Sequence, residues 1–367
     1  MPASRRRRLR WLAPLAVVAI AAGGSTLNRI LPASADAVPN LPPITAAQLL
    51  EKVAAADLST LSGDVKLSTH LGLPDLGSLG VSGSGTILDL LSGNQTGHLW
   101  IAGPTHVRTA IDAPSAESDW ILNGSDAWAW DSRTQHVTHA TVTPGAGATK
   151  PPLDPVDAAQ RLLATIDPST TVSVRTPGFV AGRPVYELVL SPRSKNSTVS
   201  AAVIAIDAST GVPLEVRVEA RSSTTPAVDL KFTSISYDPP AASTFAFTPP
   251  PGASVTEADN ASSLLPIGSH SRGERRRLDQ PQVPSGSEGP ANVQVSGTNW
   301  DTVVIVSQMA LGHQVEELLS NATSVSVASG TARLLTTTLV NVAFLDDGRI
   351  AIGAVTPAAL EAAIPAR

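Results

Sequence analysis

"VIAIDASTGVPLEVRVEA", residues 203–220, is the stretch on which the fold turns. Leu214, Val216 and Val218 alternate with Glu215, Arg217 and Glu219, and Ile204 and Ile206 form an apolar row on the preceding run. Strict alternation gives a strand one wet face and one dry face. The stretch therefore reads as two strands joined by a turn. Something must cover the dry face: the protein's own core, or a ligand brought from outside. The two cases differ in packing. Val216→Ala is tolerated beside a loosely filled hollow, whereas loss of buried methyl groups from a close-packed core costs roughly 1–3 kcal/mol.

Further strand candidates lie on both sides. "LSGDVKLSTHLGLP" sets Val65, Leu67 and Thr69 on one face, and "GTILDLLSG", "GHLWIAGPTHVRTAI", "DWILNG" and "DAWAWDS" follow. "NGSD" reads as a hairpin turn. Trp128 and Trp130 share one side of their strand, as Trp120 and Leu122 share one side of the neighbouring strand. After residue 170 the strands resume with "TTVSVRTP", "RPVYELVLSP", "VSAAVIAID", "PLEVRVEA" and "VDLKFTSISYDPP". Only two helices interrupt them. Thr45 and Gln48 make a capping box that opens the first, with Leu49, Leu50 and Val53 on its apolar stripe. Asp154 and Pro155 open the second, a capping side chain followed by a residue with no N–H to lose.

From 249 to 293 the chain turns rich in Pro, Gly, Ser and charge, which reads as a flexible linker carrying a basic run at Arg272 to Arg277. A smaller unit follows over 294–367: a strand at "DTVVIVSQ", a short helix at "HQVEELLSN", a hairpin around Asp347 and Gly348, and a last helix opened by Thr356 and Pro357. Residues 1–35 place five arginines ahead of an apolar run and end in Ala33-Ser34-Ala35. This is an export signal, either cleaved or kept as an anchor in the cytoplasmic membrane. The expected organisation is a signal over 1–35, a domain over 41–248, a linker over 249–293 and a domain over 294–367.

The 367 residues contain no cysteine, so disulfides, thiolate metal sites and cysteine nucleophiles are excluded. Beyond residue 35 the chain holds 20 basic residues against 31 acidic ones, a balance of −11. A mature chain this acidic is a poor nucleic-acid binder. No nucleophile elbow, metal-binding helix motif, phosphate loop or dinucleotide glycine pattern occurs. His136 and His139 stand three apart, which on a strand turns them to opposite faces. The sequence thus points to no enzyme, no metal and no cofactor.

"HLWIAGPTHV" resembles a strand of the periplasmic lipoprotein-carrier family LolA, through Leu99, Trp100 and Pro104. "ILNGSDAWAWDS" is similar to that family's next hairpin, through Gly124, Trp128 and Trp130. The order of elements and the ending "FAFTPPPGA" extend the likeness over about residues 41 to 256. The sigma-factor regulator RseB resembles this chain in layout, a domain of the same kind followed by a linker and a smaller domain. The resemblance implies an α+β fold: a curved antiparallel sheet, an unclosed β-barrel with a helical lid over an apolar cavity, plus a small C-terminal α+β domain. It implies an acyl chain, of a lipid or a lipoprotein, as the ligand. In one place the chain departs from the carrier pattern. Gly103 stands where that family has an arginine that takes part in moving the lid, which puts a transporter-driven carrier cycle in doubt.

The candidate cavity residues are Trp120, Leu122, Trp128, Trp130, Ile204, Ile206, Leu214, Val216 and Val218. The expected function is extracytoplasmic binding of a lipid or lipoprotein, with a membrane transporter as a further partner. An RseB-like regulator that binds an anti-sigma factor segment stays open as an alternative, and a secreted hydrolase as a third reading.

Overall fold

The computed structural model describes residues 38–56, 59–72, 94–113, 116–142, 154–163, 166–258, 293–306 and 322–366. The export signal, the "GTILDLLSG" strand, the Arg272–Arg277 run and the "HQVEELLSN" helix lie outside them. Among the described residues no helix is long and apolar enough to cross a membrane.

Chain order begins with helix α1 (Ala46–Ala54) and strands β1 (Thr60–Thr69), β2 (Asn94–Ala102), β3 (His106–Ala113), β4 (Ala116–Asn123), β5 (Asp126–Asp131) and β6 (His136–Thr141). Helix α2 (Pro155–Leu163) precedes β7 (Thr170–Val180), β8 (Arg183–Pro192), β9 (Val199–Asp207), β10 (Pro213–Ala220), β11 (Val228–Phe232) and β12 (Ser254–Ala258). These strands form one twelve-stranded sheet, ordered β12-β6-β5-β4-β3-β2-β1-β11-β10-β9-β8-β7. Its pairs are antiparallel except β6 with β12, which is parallel. The architecture is the one the resemblance implies, an unclosed, mostly antiparallel sheet with helices on one face.

The sheet runs on past residue 248. Val255 and Glu257 of β12 pair with Val137 and His139 of β6, so the described start of the 249–293 stretch is sheet edge rather than linker. Its composition hides this, because the strand is short and four of its five residues are exposed.

The register shows how one dry face runs through the sheet. Val174, Leu188, Ile204, Val216, Leu230 and Leu67 stand opposite one another from β7 to β1. The same face continues through Leu99, Thr109, Trp120 and Ala129 on β2 to β5. Two glycines on this face, Gly63 and Gly97, permit close approach of neighbouring backbone. A Cβ at Gly63 would strike the Ser234 carbonyl, and one at Gly97 the Ala110 carbonyl. Glycine inside a strand commonly marks such a bend.

The opposite face of β7–β11 combines a buried patch of Val189, Ala201 and Val203 with charged residues. Arg217 donates to Glu187 at 2.8 Å and to Glu215 at 2.6 Å, Lys231 donates to Asp229 at 2.7 Å, and Arg175 donates to Glu219 at 2.7 Å. The charged residues of the alternating strand therefore form a ladder that shields its own members. Burial raises the Glu215 carboxyl to about 7; nearby Asp229 pushes the same way, and Arg217 pulls against them.

A second sheet of six strands comprises β13 (Val293–Ser296), β14 (Val303–Val306), β15 (Thr323–Val327), β16 (Gly330–Thr336), β17 (Asn341–Leu345) and β18 (Ile350–Gly353), ordered β13-β14-β18-β17-β16-β15. Helix α3 (Pro357–Ala363), capped by Thr356, buries Leu360 with Val303, Ile305, Ala343 and Leu345. The β17–β18 turn holds Gly348 at φ +84°, as a hairpin around Asp347 and Gly348 requires. This unit docks on the large sheet through Thr198 N to the Ala354 carbonyl (3.0 Å), Thr356 N to the Asn196 carbonyl (2.6 Å) and Thr338 N to the Leu71 carbonyl (2.8 Å).

Two outcomes follow from these contacts. Gly97→Ala is expected to cost about 1–3 kcal/mol in urea melts, because backbone cannot swing away from the added methyl group; a change within 0.5 kcal/mol (~ the scatter of ordinary surface substitutions) would mean the bend is not held there. Glu215 has a folded pKa above its ordinary value of 4.5, so its contribution to stability is complete below pH 4.5 and is lost as pH rises through 7. Glu215→Gln should thus gain on wild type in denaturation midpoint between pH 5 and pH 8. Parallel pH curves for the two proteins would remove Glu215 as the cause.

Candidate functional site

Two apolar compartments share the helix-bearing face. The first lies under α1 and α2. The Thr45–Gln48 capping box is formed, with Gln48 N donating to Thr45 Oγ1 at 3.2 Å and Thr45 N donating to Gln48 Oε1 at 3.0 Å. Asp154 caps α2 by accepting from Val156 N at 2.9 Å. Leu49 of α1 and Ala159 of α2 are buried in one cluster with Tyr186, Leu188, Ile204, Ile206 and Val216. Leu214, at a bulge in β10, is buried with Val156 of α2, Leu61, Val65 and Phe232. Val218 is half-buried opposite Val228 and Ala202. The row Ile204, Ile206, Leu214 and Val216 is thus covered by the protein's own helices.

Few polar ties hold α1 down. Tyr186 donates to the Pro42 carbonyl at 2.9 Å and Lys52 Nζ to the Ser209 carbonyl at 3.3 Å. Gly211, at φ +78°, lies directly beneath the Lys52 carbonyl, where a Cβ would not fit. The β9–β10 turn below is tied together by Asp207. Asp207 accepts from Ser209 N (2.8 Å), Thr210 N (3.0 Å) and the Arg183 guanidinium. Burial opposes the charge on its carboxyl, but these donors hold it well below the usual carboxylate range. A cavity of about 400 Å³ opens beside the end of α1, lined by Ala55, Ser59, Thr60, Thr210 and Tyr237.

The second compartment lies on β3–β6. Trp120 and Leu122 are buried with Ala127, Ala140 and Val142, and Val107, Ala129 and Ala258 pack around them. Among the described residues no side chain of α1 or α2 belongs to this cluster. Val107 and Thr109, which the sequence reading passed over, stand here opposite Leu122 and Trp120. The alternation in "HVRTAI" was the signal for them.

The other two tryptophans are not in this compartment. Register places Ile121 opposite Trp128 and Asp119 opposite Trp130, so both indoles lie on the face away from Trp120 and Leu122. This corrects the grouping of all four into one cavity. Trp128 stacks on His139 with ring centroids 4.0 Å apart and lies 5.5 Å from Phe247. His139 in turn contacts Glu257 at 2.8 Å and Asp126 at 3.1 Å, while His136 contacts Ser254 at 2.9 Å. The two histidines thus fasten β12 to β6. The motif residues divide likewise. Leu99 is buried on the helix-bearing face, and Trp100 is half-buried on the outer face against His98 and Arg108. Pro104 and Gly124 occupy turns. Gly103 has φ +75°, a conformation in which an arginine would be strained.

No protein-family model matches the chain, and no curated protein matches it by sequence. Solved structures do. The crystal structure of MucB in complex with MucA(peri) matches with 13% identity and a TM-score of 0.41, covering 88% of this chain and 99% of that one. The Pseudomonas aeruginosa MucA/MucB complex matches with 15% identity and a TM-score of 0.41 over the same shares, 88% and 99%. A LolA superfamily protein from Nitrosomonas europaea matches with 12% identity and a TM-score of 0.22, covering 56% of this chain and 99% of that one.

Val216→Ala should cost roughly 1–3 kcal/mol in denaturant melts of ligand-free protein, as in a close-packed core. A negligible loss would mean that α1 and α2 do not rest on this row in solution.

Proposed function

We propose that the protein is an exported, non-enzymatic binder of an acyl chain, of a lipid or a lipoprotein, at the outer side of the cytoplasmic membrane. The observation that carries this reading is the second compartment. Trp120, Leu122, Val107 and Ala129 continue the apolar face beyond α1 and α2, on a sheet with an open edge. An acyl chain gains ~0.8 kcal/mol per buried methylene, so a dozen methylenes along such a face suffice for micromolar binding (~8 kcal/mol). The chain lies on β3–β6, and α1 and α2 shift to extend its bed toward Ile204, Ile206, Leu214, Val216 and Val218. The sequence resemblance to the LolA carriers supports the same ligand class.

A second reading, an RseB-like regulator that binds an anti-sigma factor segment, is favoured by β13. This strand ends the six-stranded sheet, with Val293 and Val295 exposed. Exposed sheet edges are common sites for an added peptide strand.

Mass spectrometry of an organic extract from the purified soluble chain tests the first reading. A stoichiometric acyl species is expected, and loss of that species after Leu122→Asp in a folded protein places it. An extract no richer than the blank overturns the reading. Retention of a membrane protein's extracytoplasmic segment by a lipid-free preparation would favour the second.

A further inference from the structure

Two polar side chains in the second compartment have no partner. Thr109 is 0% exposed and Trp120 4% exposed, and neither Thr109 Oγ1 nor Trp120 Nε1 makes a hydrogen bond. They stand directly opposite each other on β3 and β4, on the apolar face, with Leu122, Ala127 and Val107 around them. A buried donor left unsatisfied is costly and rare in folded proteins. An indole N–H can only donate, and a hydroxyl can donate as well. Together they suit one acceptor oxygen with no charge. A carboxylate suits them poorly, since burying its charge needs a cation, and the nearest cationic side chain by register, Arg108, lies on the opposite face bonded to Asp119 at 2.5 Å.

We propose that Trp120 and Thr109 are the polar anchor of the acyl site, donating to the carbonyl oxygen of an ester or amide while the hydrocarbon lies along Val107, Leu122 and Ala129. This rests on the acyl-binding reading and narrows it: the ligand is an acylated molecule joined through a neutral carbonyl, not a free fatty acid. Glycerolipids and acylated lipoproteins both carry such a group.

The test is displacement of diphenylhexatriene, a fluorescent hydrocarbon, from the full chain. Methyl laurate and lauramide should compete about fivefold more tightly than dodecane, the size of one modest hydrogen bond, and more tightly than laurate at pH 8. Trp120→Phe keeps a ring and removes the N–H. It should erase the preference, read as the ratio of ester to dodecane competition within the same variant so that any change in diphenylhexatriene affinity cancels; Thr109→Val should reduce that ratio and serves if Trp120→Phe does not fold. Dioctanoylglycerol and an N-lauroyl peptide then separate the two sources by which competes better. Wild type that ranks dodecane with the ester, or variants that keep the preference, overturn the anchor while acyl binding stands. Failure of every probe to bind wild type overturns both.

Discussion

Among the described residues, two helices of nine residues pack on one face of a twelve-stranded sheet. Each such helix is about 14 Å long and 10 Å wide, whereas twelve strands side by side span roughly 50 Å. That mismatch governs the rest of the molecule. The helices are placed where the strands are most apolar, over β8, β9 and β10, and there the packing is that of an ordinary core. Toward β3–β6 the same dry face continues without either of them. One dry face thus carries two apolar clusters, one under α1 and α2 and one beyond them.

The other face faces the same problem and meets it by different means. On β7–β11 a buried patch of Val189, Ala201 and Val203 adjoins charged side chains that satisfy one another, Arg217 and Lys231 lying among Glu187, Glu215 and Asp229. On β3–β6 the outward residues include Ile121, Trp128 and Trp130, and the chain returns to cover them. Phe245 is fully buried beside β3 and β4, the Thr244 carbonyl accepts from Arg108 at 3.2 Å, and Phe247 and β12 close over Trp128 and β6. The aromatic hairpin is thus structural. Trp128 meets the returning segment at Phe247, and the two histidines of β6 pin that segment's strand.

Much of this was legible in residues. Thr45, Asp154 and Thr356 mark three helix starts correctly because capping is local chemistry. Alternation identified the strands and each one's two faces. It could not say which face of one strand continues which face of the next, and this is where Trp128 and Trp130 were misplaced. The missing information was in the turn. With Gly124 and Ser125 as a two-residue loop, Asn123 meets Asp126, and Trp120 then falls opposite Ala129 rather than a tryptophan. The parallel pairing of β12 had no such local signal, since its partner lies more than a hundred residues earlier. Burial of Thr109 and Trp120 without partners was likewise invisible, because a sequence does not report where its hydrogen bonds go.

The acyl-binding and regulator readings are less separate than they look. Trp300, from the smaller unit, packs against the same cluster as Leu49, Leu188 and Ile204, and its Nε1 donates to Thr170 Oγ1 at 2.8 Å. The loop that presents it is tightly wound, with Gly297 at φ +75° and Asn299 at φ +54°. Trp300 therefore joins the smaller unit to the cluster that α1 and α2 help to bury. Under the proposed acyl-binding reading, a helix shift would disturb that cluster, and linkage would make any resulting coupling to the smaller unit reciprocal.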